Sequence, residues 1–526
     1  MQIGTKKYIN TYNFLIPLIV FTIIWAFIFI SSEIFNAGFN YFVDDHEIVL
    51  SHQNYTSFDD IIVKPFTSLF SAEPKNRFRP LYDVFLRLFS QVYGLNPSVW
   101  YFSSFIVATM TTWIFYIVGR LQKFSYLEAG GFATLIVFGQ QASTYTRFGT
   151  PETSSTFLVA LAFLFGSLNF KNNISQTISN FFFIFFAILS ALNKEACILI
   201  LPAMCFFKIW NLSTQSGISL KEAFFKNSIS VLVVLASFLG LLTWLKLGNV
   251  NGPGYAGVDR DTLSIEHFIS SLTSNGAIFG SAILANIVYL RKYHNQSVTA
   301  FYILIFLIII PQLIIYNKTG LFWHYVLPAA IGVSWLTFYP ISKIARQSHS
   351  LGTRLTAIII IVIIAQIIFT RNYFQETANR VKIIQSLVTE TSTCVNRHDS
   401  LAIVGNPYTN FEILYAFTTI SSQVIKNDQT YLATYGSKNS QLSIDILKSE
   451  EQSLSFLNPQ ELEDRYRKMT ISSLDVKSRS KIKGIVLTNA KRVEQPLAAL
   501  KLDWFRPDDF IRKYYPEIDI SMYCKK

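Results

Sequence analysis

Long apolar runs separated by short polar turns fill the first two thirds of the chain. They fall at about residues 14–34, 98–118, 124–140, 153–170, 178–192, 196–210, 228–247, 274–290, 298–316, 325–341 and 355–370. A helix of ~20 apolar residues crosses the hydrocarbon of a bilayer. The pattern therefore predicts about eleven transmembrane helices, with 124–140, 178–192 and 196–210 short and their ends soft. The first run is too long for a removable signal peptide and lacks a small-residue cleavage site, so it reads as a retained anchor. From about Arg371 the pattern changes to an alternation of polar and apolar residues. There Leu401-Ala-Ile-Val-Gly405 and Gly484-Ile-Val-Leu-Thr488 read as buried strands, and Ser449 to Met469 holds helix-like stretches. The expected fold class is an α-helical polytopic membrane protein over 1–370, followed by a soluble α/β domain over 371–526.

Composition agrees with the pattern. The chain has 526 residues, 51% hydrophobic and only 15% charged, with 47 Phe. Soluble domains carry about 25% charged residues. The net charge of +12 does not point to nucleic acid, because its bases lie in short loops and in the tail. No zinc spacing or RNA-binding signature accompanies them. Basic residues of short loops face the cytoplasm. With the N-terminus inside, the inner loops hold Lys6, Lys7, Arg120, Lys123, Lys171, Lys208, Lys221, Lys226, Arg291, Lys292, Lys343, Arg346 and Arg354, against Arg147, Lys194, Arg260 and Lys318 outside. That bias places outside both the first loop, about 35–97, and the C-terminal domain. Cys394 and Cys524 bracket the tail. In an oxidising compartment they either form a disulfide or remain two free thiols. Cys197 and Cys205 read as apolar packing.

This topology gathers ionisable residues on the outer face. Asp44, Asp45, His46 and Glu47 follow the first span. Arg77 to Leu81 opens a helical stretch through Phe89, with Arg79 before Pro80. Thr144 to Arg147 and Glu152 form the second outer loop, Asn193-Lys194-Glu195 the third, and Trp323-His324-Tyr325 opens the tenth span. Ionisable groups at membrane level are costly and mark functional sites with partners. Two acids beside Lys, Arg and His suit a proton acceptor facing an anionic lipid head group. Each element also has a plainer reading. Asp44-Asp45 reads equally as a solvated turn or helix N-cap, and Lys194-Glu195 as a local ion pair. Arg79-Pro80 could start an interfacial helix, and His324 could belong to an aromatic belt. Their common sidedness argues against a chance scatter.

One span, an outer loop opening on Asp44-Asp45, the Arg79-Pro80-Leu81 helix, Lys194-Glu195 before Leu201-Pro202, and His324-Tyr325-Val326-Leu327-Pro328 together resemble the C-type (GT-C) membrane glycosyltransferases. These include protein O-mannosyltransferases and aminoarabinose transferases. The resemblance covers most of 14–341. Mannosyltransferases of this type usually show Asp-Glu where this chain has Asp44-Asp45, and their long insertions are missing.

The resemblance implies inverting transfer of a hexose or pentose from a polyprenyl-phosphate donor to a glycan, lipid or protein hydroxyl. Asp44 would be the general base. Asp45 or Glu47 would orient the acceptor or a partner base, with Glu195 in support. Arg79, Arg147, Lys194, His324 and Tyr325 would bind the donor phosphate. No cofactor is implied, and a divalent metal is not favoured. A nucleotide-sugar donor would call for a cytoplasmic nucleotide-binding domain, and the inner loops are too short for one. The setting expected is a bacterial inner membrane. Rival readings are a lipid-linked glycan ligase or polymerase, a lipid or glycan transporter, which would more often show repeated halves where none is seen here, and a non-catalytic assembly subunit.

Overall fold

A computed structural model of the chain describes residues 12–67, 79–247, 296–319, 327–347, 349–405, 430–434, 445–448, 482–488 and 509–526, with scattered positions in 282–289 and 413–427. The first helix, α1 (Tyr12–Ser31), shows how the bundle is built. Ile16, Ile19, Ile23, Phe27 and Ile30 are exposed, while Phe21, Trp25, Ile28 and Phe29 are buried. Both faces are thus apolar. An apolar face this long, turned away from the protein, is solvated by lipid rather than water. The inward face meets α4 (Pro97–Leu121), where the Trp25 indole donates to Thr112 Oγ1 at 3.0 Å. Trp25 also stacks on Phe138 with ring centroids 4.4 Å apart.

The other long elements follow in order. α2 (His46–Asn54) and α3 (Pro80–Tyr93) lie in the first loop. Then come α5 (Tyr126–Val137), α6 (Glu152–Ser167), α7 (Asn173–Asn193), α8 (Leu201–Ser216), α9 (Leu220–Lys226), α10 (Ser228–Leu247), α11 (Gln296–Thr319), α12 (Leu327–Ala345) and α13 (His349–Cys394). Among the described residues, five helices are long and apolar enough to cross a membrane, or six if α9 and α10, bent by 83°, form one span. The chain is thus a multi-pass membrane protein.

Several expected boundaries move. The run 178–192 lengthens into α7, of 21 residues, and 196–210 into a 22-residue candidate span, Glu195–Ser216, in which a short helical turn at Glu195–Ile198 leads into α8. Polar residues extend both, and Asn172 caps α7 by accepting from Ile174 N. The run 124–140 shortens instead to α5. Gly139 there turns the chain with φ of +95°. Lys208, expected in an inner loop, lies inside α8 with 0% exposure, its ammonium over the Phe183 ring. Removing it from the inner-loop count leaves the charge bias in the same direction.

α13 runs unbroken through residue 370 into the tail. Six strands follow: β1 (Ser400–Gly405), β2 (Thr430–Thr434), β3 (Asp445–Lys448), β4 (Ile482–Thr488), β5 (Phe510–Tyr515) and β6 (Ile520–Lys525). They form one sheet in the order β3-β2-β1-β4-β6-β5. β1 pairs in parallel with both β2 and β4, the two expected strands sitting side by side. Leu401, Ala402 and Ile403 are all buried, as continuous apolar runs in a parallel sheet are. The helix-like stretches expected over Ser449–Met469 lie outside the described residues. Cys394 and Cys524 are joined in a disulfide, their Cα atoms 5.7 Å apart. It ties the end of α13 to β6.

The tail sits on the first loop. Phe417 packs on Phe42 with ring centroids 5.9 Å apart, and Gln53 Nε2 donates to the Gln423 carbonyl at 3.4 Å. α13 adds an ion pair from Lys382 to Glu33 at 2.6 Å.

Candidate active site

The Asp44-Asp45 stretch is a tight turn between α1 and α2. Asp44 has φ of +68°. That left-handed region is costly for most side chains, and Asp and Asn enter it most readily after Gly. Its cost is borne by the contacts around it. The neighbouring turn after α5 brings Gly149 against the Asp44 backbone, where a Cβ would overlap the Asp44 carbonyl. Glycine at 149 is what allows the two loops to touch.

Asp45 holds them together. It is 0% exposed. Its Oδ2 accepts from Asn40 N at 2.8 Å, and its Oδ1 from Phe148 N at 2.8 Å and Gly149 N at 3.1 Å. Burial pushes its carboxyl up to about 7, with the three amides opposing. Buried polar groups are costly unless bonded, and these bonds supply the compensation. His46 is buried too, and its Nδ1–H donates to the Tyr41 carbonyl at 2.9 Å. Burial lowers its pKa, against the pull of Asp44. Asp45 and His46 are therefore internal braces of the turn.

Asp44 points the other way. Its side chain is 28% exposed, and Oδ2 accepts from Arg147 Nη2 at 2.8 Å. Glu47, one turn further on, accepts from the Tyr82 hydroxyl at 3.2 Å. Burial, then the charge of Glu47, raises the Tyr82 pKa well above its usual value, so the hydroxyl remains a donor.

The remaining candidates converge from two more stretches. Arg79 precedes Pro80 at the start of α3, and its Nε donates to Glu195 Oε2 at 2.8 Å. Lys194 closes α7 and pairs with Glu152, the first residue of α6, with both side chains nearly sealed from solvent. Asn193 fixes that junction. Its Nδ2 donates to the Pro151 carbonyl at 3.0 Å and to the Ser154 and Ser155 hydroxyls. Lys194 and Glu195, adjacent in sequence, thus each reach across to a different element. Three ion pairs (Asp44–Arg147, Arg79–Glu195 and Glu152–Lys194) stitch the first loop, the turn at 147–152 and the junction at 193–195 at one end of the bundle. It is the end that carries the tail. His324 and Tyr325, also expected here, lie outside the described residues, as do Arg77 and Phe78.

Four contributors were not expected from the sequence. Asn40 and Phe148 act through their amides and leave no side-chain signature. Gly149 is visible only as a glycine in a turn. Tyr82 shows its use only once α3 lies across α2. Among the described residues, no group of three His, Cys, Asp or Glu side chains is placed to hold a metal ion. Chemically, the arrangement offers partly open carboxylates next to fixed cations, and of these Asp44 sits on a turn whose backbone is braced from beneath by Asp45.

No protein-family model matches the chain, and no curated protein does. Solved structures do. The crystal structure of ArnT from Cupriavidus metallidurans in the apo state matches with a TM-score of 0.55 at 11% identity, over 97% of each chain. The crystal structure of the same protein bound to undecaprenyl phosphate matches with a TM-score of 0.52 at 8% identity, over 98% of each chain. At these identities the likeness is one of fold: the chain shares the fold of the ArnT structures over nearly its whole length.

Proposed function

We propose that this chain is a membrane glycosyltransferase that moves a sugar from a polyprenyl-phosphate donor to an acceptor hydroxyl, with inversion. The observation that carries it is Asp44, held on a left-handed turn with its carboxylate partly open and 2.8 Å from Arg147. The ArnT fold supports the donor class, since one ArnT structure holds undecaprenyl phosphate. Asp44 takes the proton of the acceptor hydroxyl as that oxygen attacks the anomeric carbon. The bond from that carbon to the phosphate oxygen breaks, and its electron pair leaves with the polyprenyl phosphate. A base must reach the acceptor proton within hydrogen-bond distance. Cations must meet the charge that collects on the leaving phosphate. Arg147, Arg79 and Lys194 are the described candidates for that second task; His324 and Tyr325, proposed for it from the sequence, lie outside the described residues. Each of the three described cations is paired with an acid, so the phosphate would share or displace a carboxylate. Asp45 orients the turn, and Glu47 with Tyr82 borders the acceptor side.

The disulfide supports an extracytoplasmic tail, because such bonds persist in oxidising compartments. The site lies at that same end, so a donor on the outer leaflet reaches it directly. The basic bias of the inner loops supports the same orientation. No divalent metal is invoked.

The test is release of polyprenyl phosphate by the purified protein given the polyprenyl-phosphate sugars and envelope glycans of its host. Wild type should release it. Asp44→Asn should reduce the rate by roughly 100- to 10,000-fold, the usual worth of a general base. Full activity in Asp44→Asn would remove Asp44 from the mechanism.

A further inference from the structure

The Phe39–Asn40 peptide is gripped at both ends. Its N–H donates to Asp45 Oδ2 at 2.8 Å, and its carbonyl accepts from Gln385 Nε2 at 2.9 Å. Gln385 lies on α13, in the stretch that has left the bundle for the tail. The chain passes close beneath it. Gly38, with φ of +96°, would place a Cβ 2.7 Å from Gln385 Cγ. The Tyr101 hydroxyl pins the same glycine by donating to its carbonyl at 3.1 Å.

We propose that Gln385 is a positioning residue for the Asp44 turn, acting through the Phe39–Asn40 peptide and Asp45. The inference rests on the transferase reading for its catalytic consequence, but not for the hold on the loop. A peptide group is planar, so fixing its carbonyl fixes the direction of its N–H. That N–H is one of three donors on Asp45, whose other oxygen grips Phe148 and Gly149, next to Arg147. Loosening Gln385 therefore frees the turn that sets the distance between Asp44 and its cation. Because the disulfide fixes the end of α13 to β6, this arrangement gives the tail a grip on the turn.

The experiment compares Gln385→Met, which keeps the length without the donor, and Gln385→Glu, whose carboxylate cannot donate to a carbonyl. Lys382→Ala is the control: it breaks the neighbouring exposed ion pair to Glu33 and leaves the peptide untouched. Hydrogen exchange of the segment 38–46 in nanodiscs should quicken about ten-fold in both Gln385 variants, the worth of one hydrogen bond. Exchange in α4 and α6 should not change. Turnover should fall roughly 10- to 100-fold, as displaced catalytic groups do, with the donor KM within about two-fold. The control should keep wild-type exchange and turnover. Wild-type exchange at 38–46 in both Gln385 variants overturns the proposal, as does faster exchange with unaltered turnover. If the wild type itself releases no polyprenyl phosphate, the transferase reading fails, and exchange alone decides whether Gln385 holds the loop. If one variant fails to fold, the other carries the same expectations.

Discussion

At the scale of single residues, Asp44 and Asp45 are neighbours with opposite environments, and the division of labour follows from that. Asp44→Asn is a clean test of the base because Asn also enters the left-handed region; the protein should fold as wild type while losing transfer. Burial shifts the pKa of Asp45 upward. Its folded value, about 7, stands above its ordinary 3.8. The folded protein therefore binds the extra proton between these values. Its contribution to stability is full at the acid end and is lost as pH rises through about 7. Thermal unfolding in detergent should show this decline between pH 4 and 7.5 in wild type, and a flatter profile in Asp45→Asn. An equal slope in both would assign the pH dependence elsewhere. Gly149→Ala has no room beside the Asp44 carbonyl. Overpacking of this kind costs about 1–3 kcal/mol or more, and here it should also displace Asp44, the proposed base, so both the unfolding temperature and the transfer rate should drop.

At the scale of elements, the junction between α6 and α7 rests on the nearly sealed pair Lys194–Glu152 and on Asn193. Removing one partner of a buried pair costs about 3–5 kcal/mol because it strands the other charge. Lys194→Met should be strongly destabilised on unfolding in detergent, and Lys194→Met with Glu152→Leu should recover most of that loss. The double variant should remain poor in transfer if Lys194 also serves the phosphate; recovery of both would make the pair purely structural.

These elements also show how far the sequence was readable. The acid turn, the Arg79-Pro80 helix start, the 147–152 turn and Lys194-Glu195 stood out because charge is rare in such apolar surroundings, and they do meet at one end of the bundle. Their pairings did not stand out. Which acid meets which base depends on packing between helices far apart in the chain, and Lys194-Glu195 read equally as a local pair. Helix ends were legible only loosely, because polar residues such as Asn172 and Asn193 can extend an apolar run as readily as end it. The amides that hold Asp45 carry no sequence signal at all.

At the scale of the molecule, the tail is fastened in three ways: α13 continues from the bundle, Phe417 packs on Phe42, and the disulfide closes a separation of 130 residues. The two strands at Leu401 and Gly484 were legible from their apolar runs, and they lie in one sheet. The seating of that sheet on the first loop was not legible, since Phe42 and Phe417 are two among 47 phenylalanines. A cross-link over so long a loop removes about 4–5 kcal/mol of chain entropy from the unfolded tail. Cys394→Ser with Cys524→Ser should therefore loosen the sheet, read as faster proteolysis of the tail, while the bundle remains inserted.

The most direct measurement is a lipid and glycan profile of host cells lacking this protein, complemented with wild type or with Asp44→Asn. The account predicts that the deletion accumulates a polyprenyl-phosphate sugar, that wild type clears it, and that Asp44→Asn does not. The accumulated lipid would then identify the donor. Clearance by Asp44→Asn, or no such lipid in the deletion, would contradict it.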